Sequence, residues 1–228
     1  MLTDTPPRKT SSARFLQSDR MRTLDLPQDR TLLAIAKSIE SGMKAGSSAD
    51  VRRSCAEFLD FAAAFYEVPS CGFRVLAARP LRVRENWASE LFGDYHPETM
   101  LIRIWMRTAV RKEITSFGTF LSTLCHEFCH HLDFQRFRFP DSWHTRGFYE
   151  RAATLYHYAR ETPPKKLFWA PIWVAAGGLT GRAPIVACDN VRARFPQLFA
   201  HLPAADCSFR RAPRSTSYLP SSFSTRCA

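Results

Sequence analysis

Residues 124–130 read Leu-Cys-His-Glu-Phe-Cys-His and contain the spacing that decides the fold, His126-Glu127-x-x-His130. Two histidines four residues apart lie about one turn apart on the same face of an α-helix. Both imidazole rings can then reach one ion, and zinc binds neutral imidazole while its catalytic sites keep one position for water. A glutamate beside the first histidine lies near that water and can act as its base. The motif therefore predicts a helix that carries a zinc site.

The apolar residues around the motif predict that this motif helix spans residues 115–137. They recur at steps of three and four residues and form one apolar stripe, which contains Phe117, Phe120, Leu121, Leu124, Phe128 and Leu132. The two motif histidines lie on another face. A surface helix with two ordinary histidines is the alternative, and the apolar surroundings disfavour it. Cys125 and Cys129 are interpreted as small buried side chains rather than as residues that line the site.

The composition is that of a globular protein with one domain. The chain has 228 residues, of which 45% are hydrophobic and 13% aromatic, so it can bury a core. Residues 1–25 contain no apolar run, so no signal peptide is expected, and the apolar run at 167–179 is too short to cross a bilayer. The seven cysteines are odd in number and form no CxxC pair, which argues against a disulfide framework or a zinc ribbon. We therefore expect a cytoplasmic protein with no membrane partner.

The charge of the chain is strongly basic. The formal net charge is +11, and 26 of the 32 basic residues are arginine. From residue 191 onward six arginines stand against one acid, Asp206. This balance favours acidic partners, and nucleic acid is a candidate partner of the basic surface. No helix-turn-helix, zinc-finger or RNA-recognition motif accompanies the charge, so composition alone carries this expectation.

Periodicity and composition divide the chain into three parts. Residues 1–30 are expected to be a mobile leader and residues 31–166 the folded domain. Residues 167–228 are expected to be an irregular basic tail rich in Pro, Arg and Ser, with residues 213–228 disordered. The domain boundaries follow from where apolar periodicity begins and ends.

An α+β fold follows from the elements that the folded domain is expected to contain. In chain order these are helices at 31–44 and 51–66, extended segments at 73–83 and 100–106, the motif helix, and a helix from 145 or 146 to 160. Asp50 is expected to cap the second helix, and residues 93–97 to form a turn or loop. The segment around 101–105 either holds an extended substrate by backbone pairing or is a covered core strand.

A third protein ligand is needed, because catalytic zinc sites usually have three. The position six residues after His130 is Arg136, which excludes the metzincin pattern. Two candidates remain from spacing alone, His144 and Glu150. His131 points about 100° away from His130 and is poorly placed. His157 is interpreted as an exposed or packing residue.

The chain resembles the SprT-like metallopeptidases over roughly residues 50–160. The resemblance is carried by the motif at 124–130, by His144-Thr145-Arg146-Gly147-Phe148, and by residues 93–104 before the motif helix. It implies a zincin-like fold with His126, His130 and His144 as zinc ligands and Glu127 as the catalytic residue. The chain departs from the family where it has His144-Thr145 instead of a histidine-glycine pair. Cys188, Cys207 and Cys227 are too scattered for the zinc ribbon that many members carry.

The expected function is zinc-dependent hydrolysis of a protein or peptide substrate. Glu127 is expected to take a proton from water and pass it to the leaving amine. Tyr149, Arg146 and His131 are the candidates for stabilising the oxyanion. Two alternatives stay open: a non-catalytic zinc-binding regulatory module, and a basic nucleic-acid-binding protein in which the motif is incidental. Glu127 argues against the first, because a structural site has no need of a carboxylate there.

Overall fold

Three helices precede the first strand of the fold. A computed structural model describes residues 13–84, 87–141, 144–174 and 178–185, all within one structural unit, residues 1–187. The helices across these residues are α1 (Ala13–Arg20), α2 (Thr31–Lys44), α3 (Ser48–Phe65), α4 (Phe117–Gln135) and α5 (Arg146–Arg160). The expected α+β class is confirmed, and α4 is the predicted motif helix.

Seven strands lie between and after these helices in the described part of the chain. They are β1 (Gly72–Ala78), β2 (Leu81–Arg84), β3 (Trp87–Glu90), β4 (Gly93–His96), β5 (Leu101–Arg107), β6 (Phe168–Val174) and β7 (Gly178–Ile185). Three of them form one mixed sheet in the order β1-β5-β4, while β2 with β3 and β6 with β7 form antiparallel pairs.

The central strand of the mixed sheet is β5. It runs parallel to β1, with Phe73 opposite Ile102, and antiparallel to β4, with Tyr95 opposite Ile102. Ile102 and Ile104 are buried and belong to the main hydrophobic core. β5 is therefore a covered core strand, and the expectation that it pairs with an extended substrate is wrong because both of its edges are occupied. Strand β4 forms the edge of this sheet that lies next to α4.

The helix boundaries follow their capping residues. α2 spans the residues predicted for it, whereas α3 begins at Ser48 rather than at residue 51. The expected cap, Asp50, lies in the first turn, and the Ser47 side chain accepts the hydrogen bond from the Asp50 backbone N–H at 3.2 Å. α4 is capped in the same way by Ser116, which accepts from the Thr119 N–H. Serine is favoured at such positions because its hydroxyl replaces a missing backbone acceptor.

The core lies between the sheet and the helices α2, α3, α4 and α5. Its members come from every one of these elements and include Ile39, Phe58, Leu59, Ile104, Phe120, Leu124, Phe128 and Leu155. Leu124 and Phe128 belong to the apolar stripe recognised in the sequence, and both are fully buried. This stripe fixes the rotation of α4, so that its other face carries the motif histidines.

Three segments differ from their expected conformations. Residues 93–96 form strand β4 rather than a turn, because β5 supplies a pairing partner that local residue preferences do not reveal. Residues 168–174 and 178–185 form a hairpin within the segment expected to be irregular, while residues 186–228, including the expected disordered end, lie outside the described residues. The part of the expected mobile leader that the structure describes, residues 13–30, contains α1.

Residues 13–30 pack against the rest of the fold by hydrogen bonds to their backbone carbonyls. The Tyr66 hydroxyl donates to the Asp25 carbonyl at 2.6 Å, and the Tyr158 hydroxyl donates to the Pro27 carbonyl at 2.9 Å. Such contacts leave no apolar period in the sequence, so periodicity alone does not predict that this segment is ordered. No helix within the described residues has both the length and the apolar character needed to cross a membrane.

A buried ion pair joins α4 to α5. Arg151 Nη2 donates to Asp133 Oδ1 at 2.7 Å, and each side chain is only 1% exposed. The same guanidinium donates to the carbonyls of Ser18 and Met21 at the end of α1. Arg151 therefore connects three helices from one buried position.

We expect Arg151→Leu to lower the free energy of unfolding by about 3–5 kcal/mol, because the buried Asp133 carboxyl group would be left without its partner. The double variant Asp133→Leu/Arg151→Leu should be less destabilised than Arg151→Leu. Denaturant unfolding of the three proteins measures this. Arg53→Leu, which removes the exposed Arg53–Asp50 pair, is the control and should be close to the parent. A double variant as unstable as Arg151→Leu would contradict the explanation that the unpaired Asp133 causes the loss of stability.

Candidate metal centre

Three histidine side chains converge at one point on the α4 surface. His126 and His130 lie one turn apart on α4, and their Nε2 atoms are 3.2 Å apart. His144 precedes α5, and its Nε2 atom lies 3.1 Å from the Nε2 atoms of both other histidines. The three sequence-predicted ligands are therefore brought together, and among the described residues they form the one group of three or more candidate ligand side chains.

The mutual distances among these nitrogens conflict with hydrogen bonding alone. An imidazole nitrogen has a single in-plane direction, along which it either donates or accepts. Three nitrogens share two roles, so at least two of them play the same role. Two donors or two acceptors about 3.1 Å apart repel each other. A cation between the three nitrogens removes this conflict, because all three can then act as electron-pair donors.

The dimensions of the triangle fit zinc. Zinc–imidazole bonds of about 2.0–2.1 Å at tetrahedral angles place the ligand nitrogens about 3.3–3.4 Å apart. The observed separations of 3.1–3.2 Å are close to this value. Three protein ligands also leave a fourth tetrahedral position for water, as in catalytic rather than structural zinc sites.

The protonation of the histidines suits a metal ligand. Burial, together with the smaller effect of neighbouring His144, lowers the pKa of His126 to about 3. Burial and the other two histidines likewise hold the pKa of His130 well below its ordinary value. Both rings are therefore neutral at pH 7, which is the form that binds zinc.

One phenyl ring packs against all three imidazoles. Phe148 on α5 is fully buried and stacks on His130 with ring centroids 4.4 Å apart. It meets His126 edge-on at 4.8 Å and His144 edge-on at 5.2 Å. Because the ring has neighbours on several sides, it restricts the orientation of each histidine. The ring centroid of Tyr149 lies 6.0 Å from that of His126 and 5.7 Å from that of His144.

The backbone of His144 is left-handed, with φ of 56°, which is uncommon for a residue with a side chain. Thr145 follows in an extended conformation and caps α5, its side chain accepting from the Phe148 N–H at 3.0 Å. This pair of conformations places His144 outside α5, immediately before its cap. The His144 ring lies against α4, where its Nε2 atom is 3.1 Å from those of His126 and His130.

Glu127 lies between the histidines on α4 and faces strand β4. A Cβ atom placed on Gly93 would lie 3.0 Å from Glu127 Oε1 and 2.6 Å from Thr123 Cγ2. Glycine at this position therefore allows the strand to approach the helix so closely without displacing these side chains. Glu127 is 6% exposed, so its carboxylate is held beside the strand edge rather than in open solvent.

Several residues considered from the sequence do not belong to the group of candidate ligands. Glu150, the rival third ligand, lies near Arg22, with Oε1 3.8 Å from the Arg22 Nη1 atom. His157 bonds to the Thr162 hydroxyl at 2.8 Å, as expected for a packing residue. Cys125 and Cys129 are buried thiols in the hydrophobic interior, which agrees with their interpretation as small core side chains.

His131 is excluded from the site by its own hydrogen bonds. Burial lowers its pKa, so the ring is neutral at pH 7. The Pro69 carbonyl at 2.8 Å can only accept, so Nε2 donates to it and Nδ1 accepts from the Tyr95 hydroxyl at 3.0 Å. Arg146, another candidate for oxyanion stabilisation, is paired with Asp19. Of the three candidates, Tyr149 alone lies against two of the ligand rings.

Two contributors to the site were missed from the sequence. Gly93 carries a signal only once β4 is known to be a strand, since a glycine in a strand often marks a close backbone approach. The end of α1 at Ser18 and Asp19 carries none, because its contacts to the residues after His144 are isolated polar ones.

Comparison of the chain with protein-family models, with curated proteins and with solved structures gives no match. The functional interpretation accordingly rests on the residues and their geometry.

We expect His144→Ala to lose bound zinc on dialysis, while Glu150→Ala keeps about one zinc ion per chain. The loss should exceed the roughly 10–100-fold effect typical of residues that only support a ligand. Elemental analysis of the dialysed proteins measures the difference, and Glu150→Ala serves as the matched control on the same segment. Retention of zinc by His144→Ala with loss by Glu150→Ala would reverse the ligand assignment.

Proposed function

We propose that this chain is a zinc-dependent peptidase with a zincin-like site, similar to the SprT-like metallopeptidases. One observation carries the proposal: three histidine Nε2 atoms lie 3.1–3.2 Å apart with Glu127 on the same helix turn. His126, His130 and His144 would hold zinc. The number of protein ligands favours an enzyme over a structural module, because closed structural sites usually use four.

When bound, zinc supplies a Lewis acid that polarises the scissile carbonyl and lowers the pKa of a water molecule toward about 7. Glu127 is the base of the reaction. As the water oxygen bonds to the carbonyl carbon, one water proton passes to the Glu127 carboxylate. Glu127 then gives this proton to the amide nitrogen while the C–N bond breaks, so the products are a carboxylic acid and an amine.

The edge of β4 is the proposed binding surface for an extended peptide. The Trp105 N–H on β5 donates to the carbonyl of Phe92, the residue immediately before β4. Residues 92 and 105 therefore form a hydrogen-bonded pair. Backbone groups alternate in direction along an antiparallel strand. The N–H and C=O groups of Gly93 and Tyr95 therefore face away from β5, where a substrate strand can pair with them. Because Gly93 adjoins Glu127, a peptide on this edge passes beside the proposed base.

The variant Glu127→Gln tests the proposed base. It should keep about one zinc ion per chain but lose about 10²–10⁴-fold in hydrolysis, because an amide cannot accept the water proton. The assay is cleavage of a fluorescently labelled unfolded protein by the zinc-loaded enzyme. Glu150→Gln, which neutralises a carboxylate away from the histidines, is the control and should match the parent. Full activity in Glu127→Gln would refute its role as the base.

The variant Tyr149→Phe tests whether the tyrosine hydroxyl stabilises the oxyanion. We expect a fall in kcat of about 10²–10³-fold with zinc content and KM unchanged, since the hydroxyl would act only in the transition state. Tyr156→Phe on the same helix is the control, because that hydroxyl bonds to Arg160. Equal kcat values for Tyr149→Phe and the parent would remove Tyr149 from the mechanism.

A further inference from the structure

The three residues that follow His144 are enclosed by the end of α1. The Ser18 and Thr145 hydroxyls are 2.9 Å apart, and both side chains are buried. Asp19 Oδ1 accepts the backbone N–H of Arg146 at 3.0 Å, and the same carboxylate pairs with the Arg146 guanidinium. α1 therefore bonds to the first two residues after the third proposed ligand.

Gly147 shows how closely the two backbones approach. A Cβ atom on this residue would lie 2.0 Å from the Ser18 carbonyl oxygen and 2.4 Å from the Met21 carbonyl oxygen. Because these are backbone atoms, no side-chain rotation could relieve the overlap. Residues 145–147 are thus held along their whole length by residues 18–21.

The same end of α1 is also tied to the helix that carries the other two ligands. Arg151 donates to the Ser18 carbonyl at 3.3 Å, to the Met21 carbonyl, and to Asp133 Oδ1 at 2.7 Å. Asp133 lies three residues after His130 on α4. One guanidinium consequently relates the position of α1 to α4, while Ser18 and Asp19 relate it to the turn after His144.

The left-handed backbone of His144 makes this support necessary. A residue with a side chain keeps such a conformation only where its surroundings determine it. Thr145 and Arg146 set the direction in which the chain enters α5, and their partners on α1 are Ser18 and Asp19. Without those partners the turn could relax toward a commoner backbone conformation, which would carry the His144 ring away from His126 and His130.

We propose that Ser18 and Asp19 are positioning residues of the metal centre, which hold His144 in place through Thr145 and Arg146. The proposal rests on the proposed zinc site and does not depend on peptide hydrolysis. Neither residue touches the ion. Removing either should therefore weaken metal binding in the manner of a residue that supports a ligand, by roughly 10–100-fold.

The test is the zinc affinity of the full chain, measured by competition with a chromophoric chelator. Asp19→Ala should bind zinc about 10–100-fold more weakly than the parent. Asp50→Ala is the control, since Asp50 also pairs with an arginine, Arg53, but lies on α3. Its zinc affinity should equal that of the parent. The absorption spectrum of the cobalt-loaded proteins should change in Asp19→Ala alone. Unfolding of the metal-free proteins measures any general loss of stability separately.

Ser18→Ala is a milder variant that keeps the proposal testable if Asp19→Ala folds poorly. It should also weaken zinc binding, because Thr145 loses one hydrogen bond. The double variant Asp19→Ala/His144→Ala should bind zinc no more weakly than His144→Ala, since Asp19 acts through His144.

Parental zinc affinity in both Asp19→Ala and Ser18→Ala would overturn the proposal. So would a double variant in which the two effects simply add. A parent that binds zinc but does not cleave peptides would refute the peptidase and leave the positioning role intact. A parent without zinc affinity would refute both.

Discussion

The convergence of three imidazole nitrogens within 3.2 Å of one another is the constraint on which the rest of the site depends. The nitrogens of His126 and His130 come together through local structure, because one helix turn brings residues four apart onto the same face. The third belongs to His144, fourteen residues after His130. Its position requires α4 and α5 to pack in one arrangement, and the ordering of the intervening chain has an entropic cost.

Packing around the site supplies that arrangement from two directions. Phe148 fills the space behind all three imidazoles, so the start of α5 cannot move without displacing a buried aromatic ring. Farther from the rings, the buried Arg151–Asp133 pair connects the two helices. An ion pair so deeply buried gains little net free energy over apolar packing, yet separating its partners is costly. Its contribution is thus to the relative placement of α4 and α5.

The sequence predicts those parts of the site that depend on local periodicity. α4, its apolar stripe and the pairing of His126 with His130 follow from steps of three and four residues. Spacing could not separate His144 from Glu150, because both belong to the same short segment. What separates them is the cap at Thr145, which leaves His144 outside the helix in a left-handed conformation. Strand β4 was missed because its pairing with β5 is a non-local property of the sheet.

Two glycines show that the site also depends on positions where the residue has no side chain. At Gly93 a Cβ atom would overlap Thr123 and crowd Glu127, and at Gly147 it would overlap the backbone of α1. The first position brings the edge of β4 beside the proposed base. The second brings the end of α1 against the turn after His144. Both glycines permit contacts between segments distant in the chain, so neither has a role that its immediate neighbours in the sequence would indicate. The candidate metal centre therefore depends on four segments, namely α4, the edge of β4, the turn from His144 into α5 and the end of α1, of which α4 alone is recognisable from its local pattern.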